Sequence, residues 1–293
     1  MYDTIVVPTD GSEHAITAAG HAAAFARRFD ATVHVLAVVD VQGAAGPFDA
    51  GGVTETFVET LEERADDDLA ATVETMDDDR VTTARVRGHP SEAILEYARS
   101  HDADMLAMGT HGRTGVDRYV AGSVTERVLR RSEAPVLTAR AVDGALPTGE
   151  YDDVLVPTDG SDAATAAVEH ALAVADASGA TVHAVSVIEV ATSVGVPDTS
   201  VPPTVLEAHE DRARAAVERV ADRAREAGFD AETAVLHGSP ARSILDYAAD
   251  RGVDLLAMGT TGRTGATRYL LGSTTERVVR HADRPVLAVN ARE

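Results

Sequence analysis

The residues whose types and spacing suggest chemistry here are glycines rather than acids or nucleophiles. The chain reads Gly109-x2-Gly112-x9-Gly122-Ser123 and again Gly259-x2-Gly262-x9-Gly272-Ser273. Each motif follows an apolar run, Leu106-Ala107-Met108 or Leu256-Ala257-Met258, and leads into a helical pattern. Glycines let backbone approach an anion closely and take up positive φ, so that successive N–H groups can converge on it. A helix opening at the last Gly-Ser adds free N-terminal amides and the positive end of its dipole. Arg113 and Arg263, one residue past the second glycine, supply charge-assisted donors. The chemistry implied is the cradling of a phosphate-like anion. The spacing is neither the Walker A loop, which needs Gly-Lys-[Ser/Thr], nor the dinucleotide fingerprint Gly-x-Gly-x-x-Gly.

Simpler roles compete at several of these positions. Asp10 and Asp159 stand in Thr-Asp-Gly-Ser, where an aspartate can stabilise a turn or meet a ligand, and the residues leave the two even. Ser123-x-x-Glu126 and Ser273-x-x-Glu276 have capping-box spacing, so the hydroxyl caps the helix as readily as it meets a ligand. Arg127, Arg130, Arg277 and Arg280 follow on the same helices and suit a solvated or dipole-complementing place. The eleven histidines show no H-x3-H or H-E-x-x-H pattern, which argues against a dedicated metal site, and His34 and His183 read as structural strand residues. There is no cysteine, no nucleophile elbow, and no lysine to neutralise a γ-phosphate. A true ATPase is therefore not indicated, with slow hydrolysis left open.

These loops need a frame, and the chain supplies it twice. Val6-Val7-Pro8-Thr9-Asp10-Gly11-Ser12 returns as Leu155-Val156-Pro157-Thr158-Asp159-Gly160-Ser161, and Gly112-Arg113-Thr114-Gly115 as Gly262-Arg263-Thr264-Gly265. One repetition at an offset that stays at about 150 residues means a duplicated domain, not a solenoid. Residues 141–150, rich in Gly, Pro, Ala and acidic residues, read as a linker. Within the first copy, Thr4 to Pro8 is a continuous β-branched run, the mark of a strand buried on both faces. Helical spacing follows from Ser12, placed to cap, to Phe29. Strands are expected at 31–39, 81–86, 104–108 and 136–140. Between them lie helices, one carrying Phe57, Leu61, Ala65, Leu69 and Val73 as its core stripe. Alternating strands and helices imply an α/β, doubly wound parallel sheet with its ligand at the carboxyl ends of the strands. The first and fourth strands would flank that crevice and bring Asp10 opposite the glycine loop.

Composition narrows the partners. The formal net charge is −22, and the 26 basic side chains are all arginine. So acidic a chain repels nucleic-acid backbone. Acidic runs such as Asp66-Asp67-Asp68 and Asp77-Asp78-Asp79 suit solvated helix faces. No apolar run is long enough for a membrane span and the start has no basic leader, so a cytoplasmic, membrane-free protein is expected. An acidic, lysine-free surface points to a halophilic cytosol, where salt screens carboxylate repulsion.

With its glycine signature and repeat in view, the sequence resembles the universal stress protein family, whose ATP-binding members carry Gly-x2-Gly-x9-Gly-[Ser/Thr]. The resemblance covers nearly the whole chain as two domains in tandem, 1–141 and 150–293. It implies two doubly wound five-stranded parallel sheets of strand order 3-2-1-4-5, an adenine nucleotide alpha hydrolase-like fold. It implies ATP in each domain, with any Mg²⁺ arriving on the nucleotide. Asp10 and Asp159 would meet the ribose, flanked by Pro8, Thr9, Pro157 and Thr158. Val38 and Val187 would line the adenine pocket. The phosphates would fall to Gly109, Gly112, Gly122, Ser123 and Thr125, and to Gly259, Gly262, Gly272, Ser273 and Thr275, with Met108, Arg113, Val124, Met258, Arg263 and Thr274 completing the expected nucleotide-binding residues. His111, common in the family, becomes Thr261 in the second copy and is not expected to be essential for binding. The role implied is non-enzymatic and regulatory. The alternatives are an interaction scaffold with vestigial loops or a slow adenine-nucleotide hydrolase, although Pro-Thr-Asp-Gly-Ser does not match the Ser-Gly-Gly-x-Asp-Ser loop of the related hydrolases. Single-domain relatives dimerise through their last strand. An intramolecular pseudo-dimer through the fifth strands, open to further homo-oligomers, is the expectation here.

Overall fold

Strand β1 (Thr4–Thr9) is buried along almost its whole length, as its unbroken apolar run requires of a strand covered on both faces. It opens the first of two units, 1–150 and 151–293, into which the chain divides. The computed structural model describes residues 1–45, 54–76, 80–112, 122–142, 149–189, 203–262 and 271–290.

In the first unit β1 is followed by α1 (Glu13–Phe29), β2 (Thr32–Val39), α2 (Val41–Ala45), α3 (Glu55–Val73), β3 (Val81–Arg87), α4 (Pro90–Ser100), β4 (Met105–Gly109), α5 (Ser123–Arg131) and β5 (Val136–Ala139). The strands lie in the order β3-β2-β1-β4-β5, every pair parallel. The second unit repeats the plan with β6 (Asp153–Pro157), α6 (Asp162–Ser178), β7 (Thr181–Ile188), α7 (Pro203–Glu226), β8 (Ala231–His237), α8 (Pro240–Arg251), β9 (Leu255–Gly259), α9 (Ser273–His281) and β10 (Val286–Val289). Its order is β8-β7-β6-β9-β10, again parallel throughout. Each unit is a doubly wound sheet of the order 3-2-1-4-5 that the family resemblance implies. Strand order reverses between β1 and β4, and between β6 and β9, which opens a crevice at their carboxyl ends.

Small residues let helix and sheet approach. Helix α1 turns Ala15, Ala18, Ala19, Ala22, Ala23 and Ala26 inward, all buried. A Cβ placed on Gly109, at the end of β4, would lie 2.7 Å from the carbonyl carbon of His14 and 2.8 Å from the nitrogen of Ala15. Gly259 meets Ala163 in the same way, at 2.6 Å from its carbonyl carbon. At the far end Tyr2 packs edge-on against Phe25 and Phe29, with ring centroids 5.7 and 4.8 Å apart.

The amino ends of the central strands are clipped together. Asp104 Oδ2 accepts the N–H groups of Asp3 and Thr4 at 2.8 and 3.0 Å. Asp254 Oδ2 does the same for Asp152 and Asp153 at 2.9 and 3.0 Å. This fixes the relative height of the two strands whose opposite ends flank the crevice.

Two expectations need adjustment. Helix α2 does not appear in the sequence reading, because five residues are too few to show a period. Its first turn is held by the Asp40 carboxylate, which accepts the Gly43 N–H at 2.8 Å. Strand β5 ends at Ala139, one residue short of the expected Arg140. The stripe on α3 is as expected, with Ala65 and Leu69 buried and Phe57, Leu61 and Val73 half-buried.

Candidate functional site

The turn after β1 is built from its own side chains. Thr72 donates its hydroxyl proton to Asp68 O at 2.8 Å, so in the 2.7 Å contact between hydroxyls Thr9 is the donor and Thr72 the acceptor. Thr9 Oγ1 in turn accepts the Gly11 N–H at 3.1 Å. Gly11 has φ of +69°, a left-handed conformation that favours glycine. Asp10 Oδ1 accepts the Ser12 N–H at 3.1 Å, and Ser12 Oγ caps α1 by accepting from Ala15 N at 3.3 Å. The second unit copies the last three of these bonds. Thr158 Oγ1 takes Gly160 N at 3.1 Å, Asp159 Oδ1 takes Ser161 N at 2.9 Å, and Ser161 Oγ takes Ala164 N at 3.3 Å. The turn-forming role of the aspartate is therefore realised, and it aims the carboxylate.

That carboxylate stands against the glycine loop. A Cβ on Gly112 would fall 2.6 Å from Asp10 Oδ2, and one on Gly262 would fall 3.0 Å from Asp159 Oδ2. The structure thus brings the end of β1 and the loop after β4 together in both units. The loop's exit is tied to its start: Thr110 O accepts Gly122 N–H at 2.7 Å, and Thr260 O accepts Gly272 N–H at 2.6 Å.

The glycines do not share one role, and two expectations about them are corrected. None of Gly109, Gly112, Gly122, Gly259, Gly262 and Gly272 has positive φ. Gly122 has φ −55° and ψ 137°, and Gly272 has −63° and 142°. At Gly109, Gly112, Gly259 and Gly262 the need for glycine is close approach of protein atoms rather than left-handed backbone, whereas a Cβ on Gly122 would make only an ordinary contact. The capping box is also absent. The residues before the helices, Gly122 and Gly272, are the N-caps, and among the described residues no side chain caps α5 or α9. Ser123 and Ser273 sit one position further in and are exposed, while Glu126 and Glu276 turn to Arg130 and Arg280 four residues on, at 2.6 and 2.7 Å. A helix that opens on glycine leaves its first-turn amides without a side-chain acceptor.

Thr125 and Thr275 are buried. Their hydroxyls donate to Gly109 O at 2.8 Å and Gly259 O at 2.7 Å, which seats the helix start over the end of the strand. What they can offer an anion is the backbone N–H. Val124 and Thr274 are half-buried beside them. Pro8, Pro157, Met108 and Met258 are buried within their strands and back the site. Val38 and Val187 are half-buried near the carboxyl ends of β2 and β7, between buried neighbours. Arg113 and Arg263 lie outside the described residues, as do Asp77 to Asp79 and 143–148 of the linker.

Sequence reasoning set His111 aside as not essential for binding and did not single out His14, yet the two meet at the root of the first loop. His111, between Gly109 and Gly112, is buried, and its Nδ1 lies 3.0 Å from Thr110 Oγ1. His14, on the first turn of α1, accepts the Ala141 N–H on Nδ1 at 2.9 Å, and the two ring centroids are 5.3 Å apart. Burial, then the His14 ring and Arg140, hold the His111 imidazole below its ordinary range. Burial and Arg140 do the same for His14, against the opposing pull of Glu13 and Asp10. Among the described residues His111 Nε2 is buried with no hydrogen-bond partner. The second unit has Ala163, Thr261 and Asn290 where the first has His14, His111 and Arg140, and Thr260 donates its hydroxyl to Asn290 Oδ1. Only the tripeptide context of His111 was a signal; His14 looks like any polar residue in a helix's first turn. Among the described residues no group of histidines and carboxylates is placed to hold a metal, and no helix is long and apolar enough to cross a membrane.

Two doubly wound α/β units, each with a carboxylate-bearing turn set against a glycine loop at the topological switch point, define the class of protein. Residues 1–140 and 150–290 each match the universal stress protein family, and the chain belongs to that family. A universal stress protein of Methanocaldococcus jannaschii is 39% identical over 143 residues, 48% of this chain and 83% of the relative. One of Mycolicibacterium smegmatis is 28% identical over 302 residues, 98% of this chain and 97% of the relative. The crystal structure of a universal stress protein from Archaeoglobus fulgidus shares the fold, with a TM-score of 0.72 and 21% identity over 99% of this chain and 97% of that one.

Proposed function

We propose that each unit binds one adenine nucleotide, ATP foremost, and that the protein acts by occupancy rather than catalysis, as a stress-response or regulatory component. The observation that carries this reading is a juxtaposition built twice: Asp10 against Gly112 and Asp159 against Gly262, each beside a helix that opens on glycine. A carboxylate repels phosphate but accepts hydrogen bonds from sugar hydroxyls, so it suits the ribose. Uncapped first-turn amides favour the phosphates. The two chemistries lie in the order a nucleotide presents them, with Val38 and Val187 offered to the base. Mg²⁺, where present, would come with the phosphates. No nucleophile and general base are paired at the crevice among the described residues, which favours binding over turnover.

The direct test is the ligand that co-purifies. Denaturing the protein and analysing the released small molecules by absorbance and mass spectrometry should give an adenine nucleotide. Protein that is empty, and that stays empty when offered millimolar ATP, would favour the scaffold with vestigial loops. Release of stoichiometric ADP on standing would favour the hydrolase.

A further inference from the structure

The two sites share a backbone plan but not their electrostatics. We propose that the His14–His111 pair makes the first unit's site proton-coupled: an anionic ligand binds there with uptake of a proton onto the pair, and the second unit's site binds without it. The inference rests on reading the glycine loop as the phosphate site.

His111 is part of that loop. Its Cα would lie 3.8 Å from a Cβ on Gly122, the residue that opens α5, and its carbonyl oxygen is 3.5 Å from Ser12 Oγ. Among the described residues its Nε2 is buried without a partner, a state that favours any group able to supply one. Among the described residues the charged and titratable groups facing the pair are Asp10 from the turn after β1, Glu13 from α1, and Arg140 after β5. In the ligand-free protein, burial, Arg140 and the neighbouring ring all disfavour a charge on His111. A bound polyanion adds opposite charge next to the helix opening and reverses that balance. By linkage, a ligand that raises the affinity for a proton binds more tightly as pH falls. In the second unit Ala163 and Thr261 leave nothing to titrate at those two places.

Calorimetric titration with ATP in buffers of differing ionisation enthalpy counts the protons taken up. Gly272→Val leaves the first site to be measured, and Gly122→Val the second. ATP's own protonation is common to both and cancels in the difference. Near pH 6 the Gly272→Val chain should take up more protons than the Gly122→Val chain, by up to one. Its affinity should rise about 3- to 10-fold more between pH 7.5 and 5.5, since one linked proton allows at most about tenfold per pH unit. His14→Ala with His111→Thr should remove the excess, and the same pair of changes in the otherwise unaltered chain should lower total uptake by the same amount. Equal uptake at the two sites, or an excess that survives the histidine replacements, overturns the inference. Absence of ATP binding at either site of the unaltered chain overturns the phosphate reading beneath it.

Discussion

Gly109 and Gly122 belong to one signature but answer to different neighbours. A Cβ on Gly109 would meet α1 backbone at 2.7 Å, whereas one on Gly122 would sit 3.5 Å from Thr110 O, an ordinary contact. Gly109→Ala should therefore destabilise the first unit by about 1–3 kcal/mol through overpacking. Gly122→Ala should change stability by less than about 1 kcal/mol yet weaken nucleotide binding. Urea denaturation alongside ATP titration separates the two, and equal effects of both substitutions on stability would refute the assignment. A second residue-scale prediction concerns His21, fully packed in α1, whose burial lowers its pKa from 6.5 to about 4. The unfolded chain protonates His21 below pH 6.5 and the folded one only below about 4. The site is neutral in both states at pH 7, and stability is lost as pH falls through that window. The loss approaches about 3 kcal/mol at 1.36 kcal/mol per unit. His21→Leu should flatten this part of the acid profile of the first unit; an unchanged profile would show that His21 does not titrate as its burial requires.

At the scale of elements, helix starts discriminate between capping and binding serines. Ser12 accepts Ala15 N–H and caps α1, so Ser12→Ala should cost about 1 kcal/mol. Ser123 is exposed and caps nothing, so Ser123→Ala should leave the unfolding midpoint unchanged. A loss at Ser123 equal to that at Ser12 would restore the capping box. The sequence showed the first cap because an apolar periodic run starts next to it. It left the second even between cap and ligand because Ser-x-x-Glu spacing says nothing about where the helix begins. A single residue's shift turns Glu126 from a cap into a partner for Arg130. The Asp104 clip was equally invisible, since its acceptor and donors are joined only by the parallel pairing of β4 with β1. By contrast, strands β1, β4, β6 and β9 were legible as unbroken apolar runs, because burial on both faces leaves no room for polar residues.

For the whole molecule, duplication made the fold and the two loops readable before any coordinate. What differs between the copies was harder to see. His14 and His111 are distant in sequence, and their 5.3 Å ring approach exists only once α1 lies along β4. The charge of −22 with no lysine belongs to this scale too. Carboxylate self-repulsion opposes the compact state until salt screens it, over a Debye length of about 3 Å at 1 M. The melting temperature should climb from low salt into molar KCl. A flat or falling curve would remove the high-salt reading and leave the binding account untouched.

The central claim is two nucleotide sites of equal plan in one chain, and stoichiometry tests it most directly. Protein stripped of nucleotide should bind two ATP per chain in calorimetric titration, one after either Gly122→Val or Gly272→Val, and none when both are present, with circular dichroism unchanged throughout. Two ATP still bound by the doubly substituted, folded chain would contradict the account, because the ligand would then lie somewhere other than the loops that open α5 and α9.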